Sequence, residues 1–131
     1  MRAFDVIVVG GGVGGSALAV NLATAGLEVE VLEREPVFID RVRGEWIAPW
    51  GVAEAKRLDV YELLMAAGGH HLTRSVIYDE LLTPAQAEAA MLPLGDLHPA
   101  VPGPLCMEHV SMQNALLRPS HAIRRASVHA L

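Results

Sequence analysis

Glycines stand at positions 10, 12 and 15 of this 131-residue chain, a G-x-G-x-x-G spacing. A run over residues 4–9, apolar and rich in β-branched residues but for Asp5, leads into them and an Ala/Leu-rich stretch follows at once. Each of the three has a physical use: Gly10 allows a sharp exit from a strand, Gly12 lets bare backbone approach a ligand, and Gly15 lets a helix lie close on a sheet. The N–H groups that open such a helix, at Val13 and Gly14, precede its first internal hydrogen bond and are free to face an anion. The chemistry these residues suit is the holding of a pyrophosphate.

Glu33 lies 23 residues after Gly10, close to the separation at which a dinucleotide fold places the carboxylate that accepts hydrogen bonds from a ribose. A carboxylate there repels a 2′-phosphate, so NADP is disfavoured at this turn while FAD and NAD remain. The plain alternative is a structural turn and a solvated acid. It requires strand, turn, helix and acid to fall in this order within 33 residues without a ligand.

The elements that must position these residues can be read along the chain. Residues 16–25 predict a helix, with Leu18, Leu22 and Ala25 spaced for one buried face and Gly26 as its stop. Residues 27–32 alternate polar and apolar and predict a second strand ending at Glu33. Arg41 and Arg43 follow in a loop, where two cations can supply charge beside a pyrophosphate or simply be solvated. Residues 48–68 return to a helical pattern, with Pro49 in a first turn, Val52, Leu58, Val60, Leu63 and Leu64 on a core face, and a break near Asp59. Trp46 and Trp50 flank its entry, where either can stack on a flat ligand or cover the core, and packing is the default. The adjacent His70 and His71 make a poor metal site, since zinc needs three or four donors, and no metal is expected.

Residues 74–78 predict a short third strand. Residues 82–105 hold five of the eight prolines, which excludes a long helix or a central strand and predicts an irregular surface excursion. Residues 106–117 recover a modest helical face through Val110, Ala115, Leu116 and Leu117. From 118 to 131 there are three arginines, two histidines and no acid, with Pro119 interrupting any helix. This stretch reads as a basic tail, disordered or out of frame.

Composition narrows the classes. At 52% hydrophobic and 19% charged residues the chain is that of one globular domain. A net charge of −5 and the lack of a basic face over the first 117 residues argue against nucleic acid as a partner. No run is long and apolar enough to span a bilayer, and the single Cys106 cannot close an internal disulfide, so a cytoplasmic protein without a membrane partner is expected.

The residues 5–15 that carry the glycine turn, the Val31-Leu32-Glu33-Arg34 strand end and the Arg41-Val42-Arg43-Gly44-Glu45 loop before a helix together resemble the FAD-dependent monooxygenases typified by para-hydroxybenzoate hydroxylase. The resemblance implies an α/β fold, a Rossmann-like βαβ unit with parallel strands over residues 1–117, incomplete relative to the full family fold. It implies FAD as cofactor, held by Gly10, Gly12, Val13, Gly14, Gly15, Glu33 and Arg34, with Arg43 as the loop arginine that touches it. His109 stands where the family usually opens a later helix with an arginine or glutamine. The complete enzymes reduce FAD with NAD(P)H and insert one atom of O₂ into a small organic, typically aromatic, substrate. Family members are about three times this length, so the chain reads as their N-terminal FAD-binding portion, truncated and without named catalytic residues. A dehydrogenase, reductase or halogenase sharing the turn, and a non-catalytic nucleotide-binding remnant, stay open as alternatives.

Overall fold

Four consecutive β-branched residues followed by glycine have little choice but to extend and then turn. In the computed structural model, which describes residues 3–35, 37–40, 46–117 and 123–127, they form strand β1 (Val6–Val9). Helix α1 (Val13–Thr24) follows and returns the chain to strand β2 (Val29–Glu33), which pairs parallel with β1 from Val6 opposite Val29 to Val9 opposite Leu32. The expected Rossmann-like βαβ unit is present. Gly26, at φ +89°, ends the helix in a conformation open to glycine.

The helix buries Ser16, Ala19, Val20 and Ala23; of the predicted Leu18–Leu22–Ala25 face only Leu22 packs, partly buried against the sheet, while Leu18 is 50% exposed. The reason is that α1 is covered on two sides. Ala19 and Ala23 lie with Val8, Val29 and Val31 against the sheet, while Val20 joins a larger cluster on the other side. A helix held so closely needs small residues where a one-sided helix would place leucines.

That larger cluster gathers Val52, Val60, Leu64, Leu105, Met112 and Leu116. It is supplied by α2 (Pro49–Arg57), α3 (Tyr61–Ala66) and α5 (His109–Leu117), which packs along α1 and α3. The predicted break between α2 and α3 falls at Leu58–Val60, where Asp59 adopts φ 56°, a left-handed conformation that aspartate tolerates better than most residues. Trp46 and Trp50, expected to pack, are more exposed than covered, at 53% and 67%.

The proline-rich stretch is more ordered than the sequence suggests. Its end, β7 (Leu105–Cys106), is the central strand of a three-stranded antiparallel sheet, flanked by β3 (Trp46–Ile47) and β4 (His70–His71). Leu105 is fully buried there. Two-residue strands survive proline-rich flanks because so few ladder hydrogen bonds are required of them. The third strand expected at 74–78 is shortened to β5 (Arg74–Ser75), which pairs antiparallel with β6 (Leu92–Pro93) in a separate ribbon and takes no part in the parallel sheet.

Between these two strands α4 (Pro84–Ala89) starts with a capping box: the Thr83 hydroxyl accepts from the Gln86 N–H, and the Gln86 side chain accepts from the Thr83 N–H. Glu88 fixes the helix to the ribbon, pairing with Arg74 at 3.7 Å and accepting a hydrogen bond from the Tyr78 hydroxyl, which raises the pKa of that phenol.

Part of the stretch read as a basic tail also has structure. Residues Ile123–Ser127 form β8, parallel to β2 and in register with Val29–Glu33, so the first sheet has the order β1-β2-β8. Arginines at 124 and 125 concealed this strand, because they break the apolar run by which a parallel strand is ordinarily read.

Candidate functional site

Gly10 and Glu33 follow or end parallel neighbours β1 and β2, so both lie at the carboxyl ends of the strands, where open α/β sheets bind their ligands. The Gly10 N–H donates to the Leu32 carbonyl at 2.8 Å and extends the ladder by one rung before the chain turns at φ +101°. A β-carbon at Gly15 would lie 2.0 Å from the Gly10 carbonyl oxygen. The glycine there is a condition of the close approach between helix and strand.

Gly12 and Gly14 are different. A β-carbon at either would meet no protein atom within 4 Å, and both face open space. Gly12 is the N-cap of α1 and offers no side chain to cap it; the first helical turn carries no acid. The first internal hydrogen bond runs from the Ser16 N–H to the Gly12 carbonyl at 2.8 Å, so the N–H groups of Val13 and Gly14 precede the ladder. The Val13 side chain packs on the core and only its backbone is offered. An anion fits this helix end in chemistry and in space.

Glu33 is bound on both arms: the Gly11 N–H donates to Oε2 at 2.6 Å and the Glu35 N–H to Oε1 at 2.9 Å. The buried Ser16 hydroxyl donates to the Gly11 carbonyl at 3.0 Å. Carboxylate, glycine turn and helix start therefore form one hydrogen-bonded unit, with the acid held at the mouth by charge-assisted bonds.

A cleft of about 220 Å³ opens beside this unit, with Gly12, Glu33, Arg34, Glu35, His109 and Gln113 among its lining residues. That is smaller than the roughly 300–1,000 Å³ of sites that enclose a whole drug-sized ligand. Arg34 is largely exposed and pairs with Glu35 at 3.6 Å. His109 is half-buried at the start of α5 and shares the cleft with Gly12, although the two are distant in sequence. Arg43, together with Arg41, lies outside the described residues. Among the described residues no group of three or more His, Cys, Asp or Glu side chains is placed to hold a metal.

Two kinds of lining residue were not read from the sequence. Gln113 follows His109 by one helical turn, an i,i+4 spacing that was available as a signal. Val37, Phe38 and Ile39 also line the cleft, and they depend on the path of an irregular loop that no periodicity encodes.

The fold and this site define a dinucleotide-binding flavoprotein domain: residues 3–117 match the family described as FAD binding domain, and the chain belongs to it. Among curated proteins it is similar to squalene epoxidase 5 of Arabidopsis thaliana, 38% identical over 60% of this chain and 15% of that one, and to squalene monooxygenase of Rattus norvegicus, 37% identical over 57% and 13%. Among solved structures, p-nitrophenol 4-monooxygenase PnpA from Pseudomonas putida DLL-E4 superposes with TM-score 0.75 at 21% identity, over 93% of this chain and 31% of that one. The myxobacterial chondrochloren halogenase CndH, described as a variant of FAD-dependent halogenases, superposes with TM-score 0.67 at 28% identity, over 95% and 29%. The chain thus spans about one seventh of the length of the curated relatives and about a third of the structural ones. No helix among the described residues is long and apolar enough to cross a membrane.

Proposed function

We propose that this chain holds the adenosine and pyrophosphate end of FAD in a flavin-dependent monooxygenase. The observation that carries the reading is the joining of an uncapped helix start at an unobstructed Gly12 to a carboxylate fixed beside it by two backbone N–H groups. Gly12, Val13 and Gly14 present backbone to the pyrophosphate, Gly10 and Gly15 hold the turn, Glu33 takes the ribose hydroxyls, and Arg34 and His109 stand on the cleft walls. Arg43 is assigned as a further cation of the site.

When bound, FAD supplies the redox chemistry: reduced by NAD(P)H, it allows one atom of O₂ to enter an organic substrate, of which an aromatic compound is the class proposed. The work of these residues is to bind and orient the cofactor. Its ring end and the substrate are assigned to the part of the relatives' length that this chain does not span.

The test is binding. Purified protein is expected to take up FAD, seen as quenched flavin fluorescence and a raised melting temperature. Stabilisation by NAD with none by FAD would sink the proposal. Glu33→Ala is expected to weaken FAD about 10- to 100-fold, the range for a lost hydrogen bond to a charged group, and an unchanged affinity removes Glu33 from the site.

A halogenase is the second reading, favoured by the 28% identity to CndH across nearly the whole chain. Halide-dependent halogenation of an acceptor by the enzyme containing this chain, in place of oxygen insertion, would select it.

A further inference from the structure

We infer that Ser16 is a positioning residue for the cofactor: its buried hydroxyl orients and polarises the Gly11–Gly12 peptide so that the Gly12 N–H is presented to the pyrophosphate. The inference rests on the assignment of the site to FAD. It is carried by Ser16 as the one buried polar side chain among the described residues, fully enclosed and donating to the Gly11 carbonyl at 3.0 Å.

Packing alone calls for a different residue at this place. Ser16 shares the buried side of α1 with Ala19, Val20 and Ala23, where alanine is the better helix former and has no hydroxyl to take out of water. A serine inside a helix ordinarily bonds back to a carbonyl three or four residues earlier. This one reaches five residues back, past the N-cap Gly12, to a carbonyl in the glycine turn. Among the described residues nothing else donates to that carbonyl.

The Gly11 carbonyl and the Gly12 N–H are the two ends of one trans peptide unit and point in opposite directions. With the carbonyl held toward the buried hydroxyl, the N–H is turned outward, at a residue that lines the cleft and whose β position meets no protein atom within 4 Å. Among the described residues no group accepts from it. A hydrogen bond accepted at the carbonyl also polarises the unit and strengthens its N–H as a donor. The preceding peptide is held separately, by the Gly11 N–H donating to Glu33 Oε2 at 2.6 Å. The two anchors therefore serve different parts of the ligand: Glu33 the ribose, Ser16 the phosphates.

The experiment is an amide NMR titration of the whole chain with ADP, which carries a pyrophosphate, and with adenosine, which has none, at a temperature where melting curves show each protein folded. Ser16→Ala is expected to raise the Kd for ADP, and for FAD, about tenfold, the low end of the range for a hydrogen bond to a charged group. It should leave the Kd for adenosine within about twofold and move the Gly12 amide proton upfield in the ligand-free protein. Ser16→Cys, close to serine in size and a weaker donor, is expected to fall between the two, and it carries the comparison if the alanine variant does not fold. Equal weakening toward ADP and adenosine, unchanged ADP affinity, or a Gly12 amide proton that does not move overturns the inference while leaving the FAD assignment standing. A wild-type chain that binds neither FAD nor ADP overturns the two together.

Discussion

Replacement of Gly15 by alanine is expected to lower the melting temperature by about 10 °C, with a stability loss of about 3 kcal/mol. The added β-carbon would sit 2.0 Å from the carbonyl oxygen and 3.2 Å from the carbonyl carbon of Gly10, and 3.3 Å from Cγ1 of Val8. The two closest atoms are backbone, and the third belongs to a buried core side chain, so no flexible group can move aside. Relief requires the start of α1 to lift off β1, which opens the Val8, Ala19 and Ala23 cluster behind it. The same movement takes the first-turn N–H groups out of line with the Glu33 unit, so FAD affinity falls with stability. Differential scanning fluorimetry of the protein without cofactor is the check, and a melting temperature unchanged to within a degree or two refutes the packing argument.

Gly12→Ala should do the opposite, leaving the protein without cofactor nearly as stable as the wild type while weakening FAD about 100-fold. Gly12 has φ −68° and ψ 177°, a conformation open to any residue, and its β-carbon would meet nothing within 4 Å. The expected stability change is a few tenths of a kcal/mol up to about 1, since alanine is a poorer N-cap than glycine. A methyl group there occupies the space assigned to the pyrophosphate under the proposed function, and two charge-assisted hydrogen bonds lost or stretched account for the affinity change. Isothermal titration with FAD, beside a melting curve without it, separates the variants: Gly15→Ala fails in both, Gly12→Ala only in binding. A Gly12→Ala protein that binds FAD as the wild type does would move the pyrophosphate elsewhere.

What could be read in advance was what local chemistry decides. The β1 to β2 unit, the stop at Gly26 and the break at Asp59 each follow from residues next to one another in the chain, and they stand as expected. Glu33 was legible as an acid at the right distance, but not as an acid bonded to Gly11. The misses share a cause. Leu18 is exposed because α1 is covered by both a sheet and other helices, and no single-faced periodicity describes a helix with two buried sides. Leu105 is central to a sheet despite its proline-rich approach because its partners come from distant segments. The strand at Ile123–Ser127 carries two arginines and is defined by pairing with β2. Of the residues that line the cleft, Gly12, Glu33, Arg34 and His109 were singled out in the sequence, and Glu35, Gln113 and residues 37–39 were not.

The two walls also differ in the span of chain each must close. The Gly12 and Glu33 wall depends on β1 pairing with β2, strands joined by a single helix, whereas α5 with His109 leaves directly from β7, whose partners include Trp46 and Ile47 far back in the chain. Long closures lose more chain entropy before any contact rewards them, so such contacts form late. Pulse-labelled hydrogen exchange during refolding is therefore expected to protect the β1 and β2 amides before those of Leu105 and Cys106, and simultaneous protection would contradict it. The wall that carries Glu33 belongs to the early, local part of folding, and the wall that carries His109 to the late, long-range part.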